Sequence, residues 1–286
     1  MIGNFIDGLI KYQFLQNALI TSLLVGFVAG IIGSFIILRG MSLMGDAISH
    51  AVLPGVAISY MFGFNYVIGA SFFGILTAIL IGYITEKSTL KNDTAIGIVF
   101  SSFFALGVIL ISFAQSATDL YHILFGNVLA VRDSDMILTA IVTVIALAFI
   151  LLFFKELKLT SFDPVMAQAA GLPVKLFHYA LMFLLTLVAV VSLQTVGTIL
   201  VIAMLVTPAA TAYLLTNNLK VMVWLSSFIG MLSAVIGLFF SYSYNLASGA
   251  VIVLTAAVFF IMAFLFSPQK GLLISGKKKQ DTEKLA

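Results

Sequence analysis

The stretch LQNALITSLLVGFVAGIIGSFIIL, Leu15 to Leu38, runs without a single charged side chain. Crossing the hydrocarbon core of a bilayer takes roughly 20 helical residues, so this run is long enough to span it. Its apolar residues are continuous rather than alternating, which selects a helix over a strand of a transmembrane barrel. Comparable runs follow at Leu43–Phe62, Tyr66–Ile84, Thr94–Phe113, Met136–Phe154, Leu176–Leu193, Val196–Leu215, Val221–Tyr242 and Leu246–Phe266. The run at Leu43–Phe62 is interrupted by Asp46, His50 and Pro54, so both a nine-span count and an eight-span count with this segment unwound or re-entrant stay open. The fold class is therefore all-α, a polytopic membrane helical bundle of eight or nine transmembrane helices.

Composition supports the same solvent. Of the 286 residues, 62% are hydrophobic and 9% charged, against roughly 25% charged in a soluble domain. The lipid bilayer is the partner that so apolar a surface requires. There is no cysteine, which removes disulfides, thiolate metal sites and thiol catalysis together. The net charge of +3 comes from lysines spread over short connections and a tail, a pattern of membrane orientation and not of nucleic-acid binding.

The spans divide the chain into an amphipathic lead-in at 1–14, a transmembrane body at 15–267 and a basic tail at 268–286. Residues 1–14 hold Asp7 and Lys11 and lack a basic start followed by an apolar run, so a cleavable signal peptide is not expected. With the tail and its Lys270, Lys277, Lys278, Lys279 and Lys284 placed in the cytoplasm, alternation puts Arg39, Lys87, Lys91, Lys155, Lys158, Lys175 and Lys220 there too. That is the positive-inside asymmetry. On the nine-span count it leaves the N-terminus outside.

Two connections exceed a turn. The external one, about 114–135, holds Thr118 to Asn127, a short helix started by Thr118 or Asp119. The internal one runs from Lys155 to Lys175. In it Asp163 precedes Pro164, a cap followed by proline at the first helical position, and Gly171 with Pro173 stops what begins there. A short capped helix on the cytoplasmic face, within about 160–175, is a lever that another protein can push.

The chemistry concentrates in Arg39 to Gly55, RGMSLMGDAISHAVLPG. Asp46 and His50 are four residues apart and share a helical face. A carboxylate with an imidazole suits Mn²⁺, Fe²⁺ or Zn²⁺. Pro54 cannot donate to the His50 carbonyl, which frees an oxygen beside the pair. Spacing alone fits a metal contact and a structural Asp–His hydrogen bond equally well. Asp119 and His122 form a second pair, read as a possible external entry point against a stronger reading as a helix cap and an interfacial histidine. Pro208, after Thr207, opens the ladder of the seventh run and permits bending there. His178 beside Tyr179 reads as an interface anchor and Asp93 as an N-cap. Gly26, Gly30 and Gly33 have the spacing of a close helix approach. No phosphate-binding glycine-lysine loop, Ser–His–Asp set or HExxH is present, so an ATP-driven system needs its motor on another chain.

The block Ile37 to Gly55 closely resembles the signature of the metal-ion ABC permease family of the ABC-3 type. So do Asp93 to Ile98, Asp119 to Asn127, Val196 to Leu200, and Thr207 to Ala210. The likeness covers nearly the whole chain, is similar above all to manganese-import permeases of Gram-positive bacteria, and has no departure from the pattern. It implies a homodimer of permeases, two cytoplasmic ABC ATPase subunits and an extracellular metal-binding lipoprotein, with Mn²⁺ (Zn²⁺ and Fe²⁺ staying open) as transported cargo rather than a resident cofactor. It implies that Asp46 and His50 contact the metal and that Asp163, Pro164, Met166, Ala169 and Gly171 belong to the segment that engages the ATPase; Pro54 and Pro208, read from the residues alone, are the gating or kink positions. An ion-gradient-driven secondary transporter is the alternative, but it calls for more intramembrane carboxylates than Asp46 and for internal repeats.

Overall fold

The computed structural model describes residues 2–114, 128–268 and 271. The chain is helical throughout, with no strand among the described residues. Helix α1 (Ile2–Lys11) precedes the first long helix α2 (Gln13–Leu38). Next come α3 (Met44–Ala51) and α4 (Leu53–Phe62), then α5 (Tyr66–Lys87) and α6 (Asn92–Ala114). After a short 3₁₀ turn at Val128–Ala130 lie α7 (Asp133–Leu152), α8 (Phe154–Phe162) and α9 (Pro164–Ala169). The chain closes with α10 (Val174–Val196), α11 (Thr198–Leu215), α12 (Leu219–Tyr244) and α13 (Ser248–Phe266).

Eight of these helices are long and apolar enough to cross a membrane. The interrupted run passes through the bundle in two pieces. Arg39 and Met41 line a cavity with Glu86, Asn92 and Lys175 at one end of the bundle. Ser59, Tyr60 and Phe64 line another with Arg132, Asp135 and Gln194 at the opposite end. The segment Met44–Phe62 therefore reaches from end to end, and its two helices are about 28 Å long together at 1.5 Å per residue. Val52, between them, keeps right-handed helical angles. The break is a local loss of hydrogen bonding at Pro54, which stands in the first turn of α4.

The core forms around α2, the most enclosed of the long helices. Small residues set its spacing to its neighbours. A Cβ added at Gly26 would stand 2.8 Å from the Gly230 backbone, and one at Gly30 would stand 2.7 Å from the Ser227 nitrogen, both on α12. At Gly33 it would overlap the Leu205 carbonyl of α11. The Ser226 hydroxyl donates to the Gly30 carbonyl at 2.9 Å across this seam. The backbones lie too close for any side chain, and serine hydroxyls take up carbonyls that lipid would leave to their own ladder. The interrupted segment is gripped in the same way, with Gly55 against Gly69 of α5 and Gly107 of α6 against Leu53 and Pro54.

Loop chemistry ends the helices. Gly63 closes α4 at φ 71°, and Asn65 caps α5 by accepting from the Val67 N–H at 2.9 Å. A single residue, Gly197 at φ 84°, separates α10 from α11. Helix α1 packs Phe5 on Phe239 and Tyr242 near the end of α12 and exposes Ile6 and Ile10. Two expectations change in detail. Asp93 lies inside the first turn of α6 and is not its cap, because the helix starts at Asn92; its carboxylate faces the positive end of the helix dipole instead. The Lys155–Lys175 connection also carries a second helix, α8, which buries Leu157 and Thr160; its mixed lysines and glutamate gave no apolar run to mark it.

The seam predicts that Gly30→Val costs at least about 1–3 kcal/mol by overpacking. It should lower the melting temperature and the monodisperse yield in detergent, whereas Gly3→Ala, with open space around it, should change neither. Equal behaviour of the two variants would remove the seam's role.

Candidate metal-contacting pair and coupling helix

Helix α3 presents Asp46 and His50 on one face, as the four-residue spacing requires. The His50 Nε2 stands 3.4 Å from the Asp46 Oδ1, with side-chain exposures of 28% and 43%. That separation is long for an N–H···O hydrogen bond, whose usual length is about 2.9–3.0 Å. It matches two ligands of one small cation: donors about 2.1 Å from a shared ion stand about 3.0 Å apart at a right angle and about 3.4 Å apart at a tetrahedral one. The other ring nitrogen, Nδ1, is buried without a hydrogen-bond partner. Aromatic rings fix the imidazole in place. Phe100 and Phe104, one turn apart on α6, each hold it at a centroid distance of 5.8 Å, Phe104 edge-on at 87°.

Beyond the pair, the His50 carbonyl has lost its normal partner at Pro54 and receives only a secondary contact from the Val52 N–H, which bonds to the Ile48 carbonyl at 3.2 Å. No group of three or more metal-ligating acidic, histidine or cysteine side chains occurs among the described residues. Two side chains leave several positions of a four- to six-coordinate ion open, to be filled by water, by carbonyl oxygen or by a second chain. The flanking surface of α6 is largely uncovered, with Ile98, Leu106, Val108, Ile109 and Phe113 exposed. Sequence reasoning missed Phe100 and Phe104. Their four-residue spacing was visible, but nothing in it tells which helix they face. Asp119 and His122 lie outside the described residues.

The lever is built as its local sequence dictates. The Asp163 carboxylate accepts from the Met166 N–H at 2.9 Å, and Pro164 follows at the first helical position of α9. At the other end Gly171 adopts φ 81°. There the Leu172 N–H reaches the Ala167 carbonyl at 3.0 Å and the Gly171 N–H reaches that of Gln168 at 3.0 Å, the paired bonds of a Schellman stop. Ala167 is the one buried residue of α9. Val165 is 79% and Met166 62% exposed, with Phe162 beside them and Ala169 also at the surface. Pro208 lies inside α11, where the ladder skips one bond and the Thr211 hydroxyl donates to the Thr207 carbonyl at 2.7 Å.

Arg39, at the end of α2, connects the two regions. Its Nε donates to the Ser161 Oγ and its Nη2 to the Thr160 Oγ1, both at 2.9 Å, tying α2 to α8. Burial pushes its pKa down from the usual value to about 10, so it stays charged at neutral pH.

Known proteins match nearly the whole of this chain. The ABC 3 transport family matches residues 11–267. The manganese transport system membrane protein MntC of Listeria monocytogenes is 67% identical over 275 residues, covering 96% of this chain and 98% of the relative. The manganese import system permease protein ScaB of Streptococcus parasanguinis is 62% identical over 270 residues, covering 94% and 96%. Among solved structures, PsaBC from Streptococcus pneumoniae in complex with Fab matches with a TM-score of 0.86 and 60% identity, over 94% of this chain and 98% of that one. A polytopic all-α bundle, a carboxylate–imidazole pair on a proline-broken helix and a family match over nearly every residue agree: the chain belongs to the ABC 3 transport family.

Proposed function

We infer that this chain is the permease subunit of an ATP-binding-cassette importer that carries Mn²⁺ across the plasma membrane by alternating access. The observation that carries the reading is the Asp46–His50 pair, 3.4 Å apart on a broken membrane-crossing helix. The manganese permeases among the relatives support the choice of metal.

A divalent ion stripped of water in a medium of low dielectric faces a penalty of tens of kcal/mol by Born estimates. A fixed anion inside the membrane offsets it, and Asp46 supplies that charge. His50 supplies a nitrogen donor, which favours transition metals over Ca²⁺ and Mg²⁺, and the Phe100 and Phe104 rings keep it from turning away. Two permeases form a homodimer in which the uncovered α6 surface and the open side of the pair meet their symmetric counterparts. The second copy and waters complete the coordination. Affinity stays modest, because a site that holds its ion tightly cannot release it.

The Arg39 end of the bundle is the cytoplasmic one, since Arg39, Lys87, Lys91, Lys155, Lys175 and Lys220 sit at helix ends there and Lys158 on the short helix α8 between them. The C-terminal tail is on the same side. Two ATPase subunits, which carry out the ATP hydrolysis, dock on α9 through Val165 and Met166. An extracellular metal-binding lipoprotein delivers the ion at the Gln194 end.

Asp46→Asn keeps the shape and removes the charge; uptake of ⁵⁴Mn²⁺ by the reconstituted complex should be abolished with expression and assembly intact. His50→Ala should reduce uptake at least about tenfold, the loss of one charge-assisted contact. Wild-type uptake by Asp46→Asn would make the pair structural. Met166→Glu should leave the permease folded and lower its co-purification with the ATPase; unchanged co-purification together with unchanged transport-stimulated ATP hydrolysis would make α9 a passive loop. In intact cells, cysteine placed at Gln168 should resist an impermeant thiol reagent, and ready labelling would invert the topology.

A further inference from the structure

At the Arg39 end, a cavity of about 440 Å³ opens between α5, α8 and α10, walled by Arg39, Glu86, Ser161, Lys175, His178 and Tyr179. Its charges do not cancel. The Lys175 ammonium is bonded to the Glu86 carboxylate, which leaves that pair neutral. Arg39 gives two of its five N–H donors to neutral hydroxyls, and no carboxylate lies within ion-pair distance of it among the described residues. A half-buried guanidinium without a counter-ion is costly, and the planar fork of its remaining donors suits a phosphate.

Next to the cavity, along the α5–α10 seam, lies a groove of about 360 Å³, walled by Ile75, Ala78, Ile79, Tyr179, Met182 and Phe183. Tyr179 belongs to both spaces, and three of the other five groove residues repeat the cavity's own positions one helical turn deeper: Ala78 below Gly82, Met182 below His178, Phe183 below Tyr179. At Gly82 helix α5 packs directly on the Tyr179 ring, since a Cβ there would stand 2.7 Å from it, so this ring is the boundary between cavity and groove. The groove opens on the apolar stripe of α5 that exposes Ile68, Phe72 and Ile79, the surface of a helix against lipid. A cationic pocket at the end of a bundle, beside an apolar groove between membrane helices, has the two halves of an amphiphile.

We propose that the α5–α10 cleft is a binding site for an anionic phospholipid, its phosphate held by Arg39 and one acyl chain laid against Ile75, Ile79 and Phe183. The groove explains why the ligand is a lipid and not a free anion. Pro164, at the start of α9, also lines the cavity, whereas the groove is walled by α5 and α10 alone, so it is the groove that separates this site from the surface on which a cytoplasmic protein would dock.

The test uses the full chain in nanodiscs containing equal amounts of phosphatidylglycerol and phosphatidylcholine, with retained lipid read by native mass spectrometry. The wild type should retain phosphatidylglycerol in preference to phosphatidylcholine, and inorganic phosphate should not displace it. Arg39→Gln, which keeps a donor toward Thr160 and Ser161, should lower that preference about tenfold, the worth of a charge-assisted hydrogen bond. Ile79→Trp, at a lipid-facing position that tolerates bulk, fills the groove and should lower phosphatidylglycerol retention by a similar factor; it tests the proposal even where Arg39→Gln fails to fold. Equal retention of the two lipids by the wild type, or retention unchanged in Ile79→Trp, overturns the proposal. Displacement by inorganic phosphate identifies a free-anion site instead, and a spontaneous disulfide between two Ile79→Cys chains seats a second copy in the groove; either result also overturns it.

Discussion

The bundle depends on how closely backbones approach along α2. Lipid tails are as apolar as leucine, so burying a leucine between helices gains little over leaving it in the bilayer. Association must come from contacts that lipid cannot reproduce: dense packing of backbone on backbone and hydrogen bonds across helices. Gly26, Gly30 and Gly33 supply the first, against Gly230, Ser227 and Leu205. Ser226 and Ser227 supply the second, donating to the carbonyls of Gly30 and Phe27 at 2.9 and 3.2 Å. With α2 locked between α11 and α12, its end carries Arg39 to a fixed place, and the turn that follows opens α3.

From that turn the broken helix inherits its position. Proline breaks in membrane helices are tolerated where neighbouring groups take up the freed backbone or the break lines a polar path. Here Gly55 on Gly69, and Leu53 and Pro54 on Gly107, hold the two pieces nearly as one helix, so the break costs a hydrogen bond without costing direction. What it leaves is a polar patch inside an apolar crossing: a carboxylate, an imidazole with one buried ring nitrogen unpaired, and a carbonyl short of its partner. Asp46 and His50 stand 3.4 Å apart there, and the aromatic walls limit how far the imidazole can turn.

Arg39 joins the membrane part of the bundle to its surface lever. Its bonds to Thr160 and Ser161 attach α2 to α8, and α8 runs through Asp163 directly into α9. The same side chain faces the cleft beside Tyr179. One half-buried cation thus meets the long helix α2, the surface helix α8 and the cleft beside Tyr179, which makes it sensitive to all three.

What the amino-acid sequence determined by itself was whatever depends on neighbours along the chain. Continuous apolar runs dictate helices in a bilayer, because each unsatisfied backbone group there costs several kcal/mol. Asp163, Pro164 and Gly171 dictate a short helix, because caps and stops act within a few residues. Asp46 and His50 share a face by helical period alone. The tertiary structure decided what depends on which surfaces meet: that Phe100 and Phe104 flank His50, that Gly30 faces α12 and Gly33 faces α11, and that Arg39 reaches hydroxyls more than a hundred residues away. In a soluble protein an apolar stripe would mark the buried face. In this chain the lipid-facing and core-facing sides are almost equally apolar, so hydropathy carries no record of which side is inside, and only the summed packing of all the helices settles it.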